Sequence, residues 1–94
     1  MEIDILAVDD TELVVVECKS RLSLDDLKGF LEKLARFKVS FPHCSGYQVY
    51  GAVAGIEINE GVDRYAYQRG LFVIKPSGDT VEIVNDADFK PVTW

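Results

Sequence analysis

Residues 2–19 read EIDILAVDDTELVVVECK, and this stretch decides the fold. Residues 2–8 alternate between polar and apolar side chains, which is typical of a half-buried strand. The valine-rich run from Leu13 to Lys19 predicts a second strand. Only the polar segment 9–12 separates the two. The spacing therefore predicts a tight β-hairpin over this part of the chain.

The length of the hairpin loop decides which residues face each other across the two strands. A loop of either two or four residues sets Asp4 opposite Glu17 and Glu2 opposite Lys19. Alternation along each strand then places all four side chains on one face of the sheet. The Cβ atoms of a directly facing pair lie roughly 4.5–5.5 Å apart. We therefore expect an acidic pair with a lysine beside it.

This acidic pair predicts a metal site. Two carboxylates that face each other repel and destabilise a sheet, and a divalent cation between them removes the conflict. Mg²⁺ prefers oxygen ligands, so we expect Asp4 and Glu17 to bind Mg²⁺ or Mn²⁺, with the backbone carbonyl of Cys18 as a third ligand. The ammonium of Lys19 would orient or help deprotonate a water, or stabilise charge on a phosphate. The set suits metal-dependent phosphodiester hydrolysis. The thiol of Cys18 points away from Glu17 and is expected to be buried.

The next segment predicts a helix. Ser23 has the side chain of an N-cap, and Asp26 three residues later completes a capping box. An apolar stripe follows at helical spacing: Leu24, Leu27, Phe30, Leu31, Leu34 and Phe37. The basic residues of this segment are interpreted as a solvated face, with contact to DNA as the alternative: Lys28, Lys33, Arg36 and Lys38.

The remaining segments predict a mixed sheet. The apolar run 48–58 suits a central strand covered on both faces, and its glycines suggest the close approach of a packed element. A short helix is expected over 61–69, then strands over 71–75 and 80–84. The order of elements predicts one α/β domain over residues 1–94, a mixed sheet with helices packed on it.

Composition limits the classes of function. The chain has 94 residues, 48% of them hydrophobic and 28% charged, which is globular composition rather than disorder. It has no apolar run long enough to span a bilayer, and its N-terminus does not resemble a signal peptide. Two cysteines are too few for a disulfide scaffold, so we expect a cytoplasmic location. The net charge of −6 argues against a general nucleic-acid binder.

The hairpin motif resembles that of a known nuclease superfamily. Glu2-Ile3-Asp4-Ile5 followed by Val14-Val15-Val16-Glu17-Cys18-Lys19 resembles the PD-(D/E)XK, or restriction-endonuclease-like, superfamily. Its hallmark is an Asp on one strand of a hairpin and Glu-x-Lys on the next. The continuation into a helix also looks like archaeal Holliday-junction resolvases and uncharacterised prokaryotic relatives, and the resemblance covers about residues 2–75.

The resemblance implies a function and a set of roles. It implies a Mg²⁺-dependent nuclease that acts on DNA in repair, recombination or restriction, with Asp4, Glu17 and Lys19 as its catalytic residues. Ser20 and Arg21 are candidates for phosphate contacts, with a turn residue and a surface charge as the equal alternative.

One departure from the family pattern leaves the function open. The family core usually begins with a helix ahead of the Asp strand, whereas that strand begins at Met1 here, so we expect a restriction-endonuclease-like core that lacks the usual first helix. Three explanations are compatible with the missing helix: a catalytically impaired domain, a dimer in which the two copies complete the site, and a truncated gene product. Uncovered sheet surface tends to bind a partner, so we expect a homodimer. The alternative function is an inactive nuclease-fold module for dimerisation or protein interaction; a third possibility is a remnant that binds metal only for stability.

Overall fold

The computed structural model describes residues 4–94. Within them, five strands form one sheet in the order β1-β2-β3-β4-β5. The predicted strand positions Glu2 and Ile3 lie outside the described residues. The elements are β1 (Asp4–Ala7), β2 (Glu12–Leu22), α1 (Leu24–Ala35), α2 (Phe37–Ser40), a 3-10 turn (Pro42–Cys44), β3 (Gln48–Ile58), α3 (Val62–Gln68), β4 (Phe72–Ser77) and β5 (Thr80–Ile83).

The sheet is mixed, as predicted. Strands β1 and β2 are antiparallel, β2 and β3 are parallel, β3 and β4 are parallel, and β4 and β5 are antiparallel. The parallel strands follow one another in both sequence and space, so right-handed crossovers place α1 and α3 on the same side. Apolar strand residues form the core with these helices on what we call the helix face: Leu13, Val15, Val49, Val53 and Val73.

Helix α1 begins and packs largely as the sequence predicts. The Ser23 hydroxyl accepts a hydrogen bond from the backbone N–H of Asp26, and the Asp26 carboxylate accepts one from the backbone N–H of Ser23, both at 3.1 Å. The predicted stripe is buried at every position except Leu24, the first helical residue, which is 39% exposed. The prediction of one helix through Phe37 is wrong, because α1 ends at Ala35 and Phe37 is the first residue of α2. Among residues 4–94, none of the helices has the length and apolar character needed to cross a bilayer.

The opposite side of the sheet, here called the open face, carries the other set of alternating side chains. These are Val14, Val16 and Cys18 of β2, Tyr50, Ala52 and Ala54 of β3, and Phe72 and Ile74 of β4. Part of this face is covered by the C-terminal segment, where the rings of Phe89 and Phe72 lie 4.9 Å apart. Beyond that cover Ile56 is 74% exposed. The prediction that β3 is covered along both faces is therefore wrong for its C-terminal half, because both crossover helices lie on the other side.

A glycine in β3 permits the close approach of α1. A Cβ atom added at Gly51 would lie 2.6 Å from Leu34 Cδ1 and 2.6 Å from Leu71 Cδ2. This confirms the predicted close contact at this position.

Replacement of Gly51 by alanine is expected to destabilise the fold. Gly51→Ala should lower the free energy of unfolding by about 1–3 kcal/mol, because both leucines must move to admit a methyl group. Urea denaturation followed by circular dichroism measures this. Gly46→Ala is the matched control, since an added Cβ there meets open space. Equal midpoints for the two variants would show that the core accommodates the methyl group without strain.

Candidate functional site

The register of the first hairpin differs by one residue from the prediction. Asp4 pairs with Val16, and Ile5 pairs with Val15. The predicted pairing of Asp4 with Glu17 is therefore wrong. Because side chains alternate along a strand, a shift of one residue moves a side chain to the other side of the sheet. Asp4 consequently lies on the open face, and Glu17 lies on the helix face.

The reason for this shift is a three-residue loop, 9–11. The Asp9 carboxylate accepts hydrogen bonds from the backbone N–H of Thr11 at 2.7 Å, the Thr11 hydroxyl at 2.8 Å and the backbone N–H of Glu12 at 2.8 Å. The Val8 N–H then donates to the Glu12 carbonyl at 3.1 Å, which closes the loop. The bonds from Thr11 are the main cause of the lowered pKa of Asp9. An aspartate favours such turns, but Asp9 would also begin a four-residue loop over 9–12, so the sequence carries no signal that selects this loop length.

The Asp4 carboxylate lies beside Cys18. The pKa of the Cys18 thiol is raised by partial desolvation, then by a hydrogen bond with Asp4 and by the negative charges of Asp4 and Glu17. Cys18 is exposed, so the prediction of a buried thiol is wrong. The thiol does point away from Glu17, as predicted, but that direction leads to the open face and not into the core.

Glu17 is buried on the helix face and is paired with a lysine of α1. It is 7% exposed and is the one buried charged residue among the described positions. The Nζ atom of Lys33 lies 3.5 Å from Glu17 Oε2, at the outer limit of a hydrogen bond. An unpaired carboxylate at this depth would be costly, and Lys33 offsets that cost. The sequence interpretation placed Lys33 on a solvated face, although its position three residues after Phe30 puts it at the edge of the apolar stripe.

Lys19 shares the helix face with Glu17, as predicted. Its side chain is exposed, and β2 places it two residues beyond Glu17, opposite Gly55 of β3. Hydrogen bonds from Ser23 are the main cause of the lowered pKa of Asp26, and the positive charge of Lys19 contributes to it. The ammonium of Lys19 therefore lies near the N-terminus of α1.

The two predicted phosphate contacts lie further along β2. Ser20 and Arg21 are both exposed. The Arg21 guanidinium donates to Glu57 Oε2 from Nη2 at 2.8 Å and from Nε at 3.0 Å. Both side chains of this ion pair are well exposed, so it contributes little to stability and leaves the guanidinium within reach of a ligand.

The predicted ligand set does not fit a divalent cation in this register. The carboxylates of Asp4 and Glu17 lie on opposite faces of the sheet, so one ion cannot bind both. Over residues 4–94 no group of three or more His, Cys, Asp or Glu side chains is placed to hold a metal ion. The helix face does carry the buried Glu17 in contact with Lys33, and the exposed Lys19 lies two residues further along β2. The ammonium of Lys19 is suited to bind a phosphate oxygen.

Comparison with protein-family models, with curated proteins and with solved structures finds no match to this chain. The resemblance to the PD-(D/E)XK superfamily consequently rests on the hairpin motif and on the order of elements around it. It remains a prediction.

Replacement of Asp4 is expected to change the titration of Cys18. The hydrogen bond and the negative charge of Asp4 raise the pKa of the thiol, so Asp4→Asn should lower that pKa and allow the thiolate to form at lower pH. The alkylation rate of Cys18 by iodoacetamide, measured against pH by mass spectrometry, reports this shift. Asp10→Asn removes the same charge from the loop and should leave the profile unchanged. Superimposable profiles for Asp4→Asn and the wild type would place Asp4 away from Cys18.

Proposed function

We propose that the chain is a metal-dependent nuclease of the PD-(D/E)XK type that hydrolyses DNA phosphodiester bonds. The observation that carries the proposal is the position of Glu17 and Lys19 on the helix face of β2. This strand follows a hairpin turn and leads directly into a capped helix and a parallel strand. The order agrees with the one on which the superfamily resemblance rests, and a repair, recombination or restriction context follows from that resemblance alone.

The side chains on the helix face suggest separate roles. Lys19 is exposed and carries no ion pair within the described chain, so its ammonium is free to stabilise negative charge on a phosphate. Glu17 is buried, and the positive charge of Lys33 offsets the negative charge of its carboxylate. The positive charge available to a phosphate on the helix face is therefore that of Lys19, in a chain whose net charge is −6. Asp4 lies on the other face of the sheet in this register, so the carboxylates of Asp4 and Glu17 do not share one cation.

The decisive test is cleavage of supercoiled plasmid with Mg²⁺ or Mn²⁺ as the added cation. Lys19→Ala should reduce the rate by about 100-fold or more, the usual effect of removing one charge-stabilising group from an active site. The fold should be unaffected, since the Lys19 side chain is exposed. Lys28→Ala on the exposed side of α1 is the matched control and should cleave at the wild-type rate. Cleavage that survives in Lys19→Ala, or a wild type that does not cleave, would contradict the proposal.

A second candidate function is homodimerisation or protein interaction through the open face. Large apolar side chains stand exposed on and beside it: Ile56 at 74%, Val81 at 63% and Ile83 at 59%. Strand β5 is also an edge of the sheet, with no further strand paired to it among residues 4–94. Monomeric proteins seldom expose a contiguous apolar surface with a free strand edge beside it. We therefore propose a homodimer under either function.

Charge placed on this surface should weaken the dimer. Val81→Glu introduces a carboxylate that must lose water at an apolar interface, so we expect at least a tenfold rise in the dissociation constant, equivalent to about 1.4 kcal/mol. Sedimentation velocity over a concentration series measures it. Val39→Glu on α2 is the control, because Val39 is 82% exposed and lies on the helix side of the sheet. A monomeric wild type, or a dimer equally stable in Val81→Glu, would rule out this surface.

A further inference from the structure

We infer that the free edge of β5 binds an extended segment of another protein as an antiparallel strand, and that basic and apolar residues alternate in this segment. The edge lies in the plane of the sheet, apart from the helix face that carries Glu17 and Lys19, so the inference goes beyond the proposed nuclease. It is also separate from the proposed dimer, because two open faces that pack on each other leave the edges of both sheets free.

The first observation is the direction of the backbone groups of β5. The Val84 N–H donates to the Val73 carbonyl at 3.0 Å. Bonded and non-bonded pairs alternate along an antiparallel ladder, so Glu82 also bonds to β4, whereas Val81 and Ile83 direct their N–H and C=O groups away from it. No further strand of residues 4–94 is paired with β5. Such a row of backbone groups is what binds an extended peptide as an added strand.

The second observation is that the side chains of β5 are exposed along its whole length. On the open face Val81 is 63% exposed and Ile83 is 59% exposed. Glu82 lies between them on the helix face, opposite Lys75 of β4. Residues of an added strand that face Val81 and Ile83 would have Cβ atoms roughly 4.5–5.5 Å from theirs. Apolar side chains at those two positions would shield both residues from water.

The third observation is the negative charge along this edge. Residues 79–88 include four carboxylates and no basic side chain: Asp79, Glu82, Asp86 and Asp88. The Nζ atom of Lys75 lies 3.6 Å from Asp63 Oδ2, and Glu82 forms no ion pair with another described residue. Opposite charges on facing residues of a sheet attract. A lysine or arginine of the partner that faces Glu82 is therefore favoured.

The same charge argues against a second copy of this chain as the added strand. Two copies of β5 can exchange the bonds of Val81 and Ile83 only in antiparallel registers centred on Val81, Glu82 or Ile83. A register centred on Glu82 places the two Glu82 side chains directly opposite each other, and the other two registers make them diagonal neighbours at roughly 7–8 Å. A basic segment replaces this repulsion with attraction.

Synthetic peptides added to the full chain test the inference. The probe is a blocked peptide of about eight residues, within the usual length of a strand, in which valine and lysine alternate. With free peptide at about ten times its dissociation constant, the Val81 and Ile83 amides should exchange with deuterium about tenfold more slowly, because only about one protein molecule in eleven stays free. Nuclear magnetic resonance measures this residue by residue. The Val84 amide, already bonded to Val73, should change little.

Methylation of the peptide backbone separates strand addition from simple charge attraction. In the antiparallel arrangement the valines facing Val81 and Ile83 exchange hydrogen bonds with them, whereas the lysine N–H groups point away from the sheet. N-methyl groups on the valines should therefore weaken binding by about tenfold or more, and N-methyl groups on the lysines should leave it within about twofold. Equal losses in the two methylated peptides would overturn the inference.

A charge reversal tests the predicted chemistry of the partner. The wild type should prefer the valine–lysine peptide to one in which valine and glutamate alternate, and Glu82→Lys should reverse this preference. Glu32→Lys, the same change at an exposed position of α1, should keep it. Should Glu82→Lys fail to fold by circular dichroism, Glu82→Gln takes its place and should weaken the preference. Equal binding of both peptides by the wild type would overturn the inference.

Sedimentation velocity separates this edge from the proposed dimer surface. Association of the wild type should be the same with and without bound valine–lysine peptide, because the face and the edge are different surfaces. A dimer that the peptide dissociates would show that a second copy occupies the edge of β5, and this would overturn the inference. Plasmid cleavage by the same chain tests the nuclease independently of either result.

Discussion

Three hydrogen bonds to the Asp9 carboxylate stabilise a three-residue loop, and the face of the sheet on which Asp4 lies depends on the length of that loop. A loop with an odd number of residues places Asp4 with Val16, whereas an even loop would place it with Glu17. A hydrogen bond contributes about 0.5–1.5 kcal/mol net, so three of them stabilise this loop by a few kcal/mol at most. A small local energy therefore contributes to deciding on which face of the sheet an acidic side chain lies.

The other half of the site is fixed by the core. Strand β2 is paired with β3 along most of its length, and Leu13 and Val15 lie in the cluster that α1 and α3 cover. Glu17 continues the same alternation towards the helices, which explains both its burial and its pairing with Lys33. The candidate site thus lies on a strand that the core holds in place, next to β1 at the edge of the sheet.

Local sequence signals predicted the elements well and the register poorly. The capping box of Ser23 and Asp26 and the apolar run of β3 depend on neighbouring residues, and the structure places both as expected. The pairing of Asp4 depends on how a loop satisfies its hydrogen bonds, which alternation along the strands does not reveal. The contact of Lys33 with Glu17 depends on where α1 lies across the sheet. The exposure of Cys18 depends on which face of the sheet the two crossover helices cover. The pairing of Asp4, the contact of Lys33 and the exposure of Cys18 could therefore be known only from the tertiary structure.

The register of the hairpin is open to direct measurement by nuclear Overhauser effects between backbone protons of the wild-type chain in excess chelator. The described register predicts close contact between Ile5 and Val15 across the two strands, with Asp4 near Val16. A dominant set of contacts between Asp4 and Glu17 under the same conditions would contradict it, and with it the role given to Asp9.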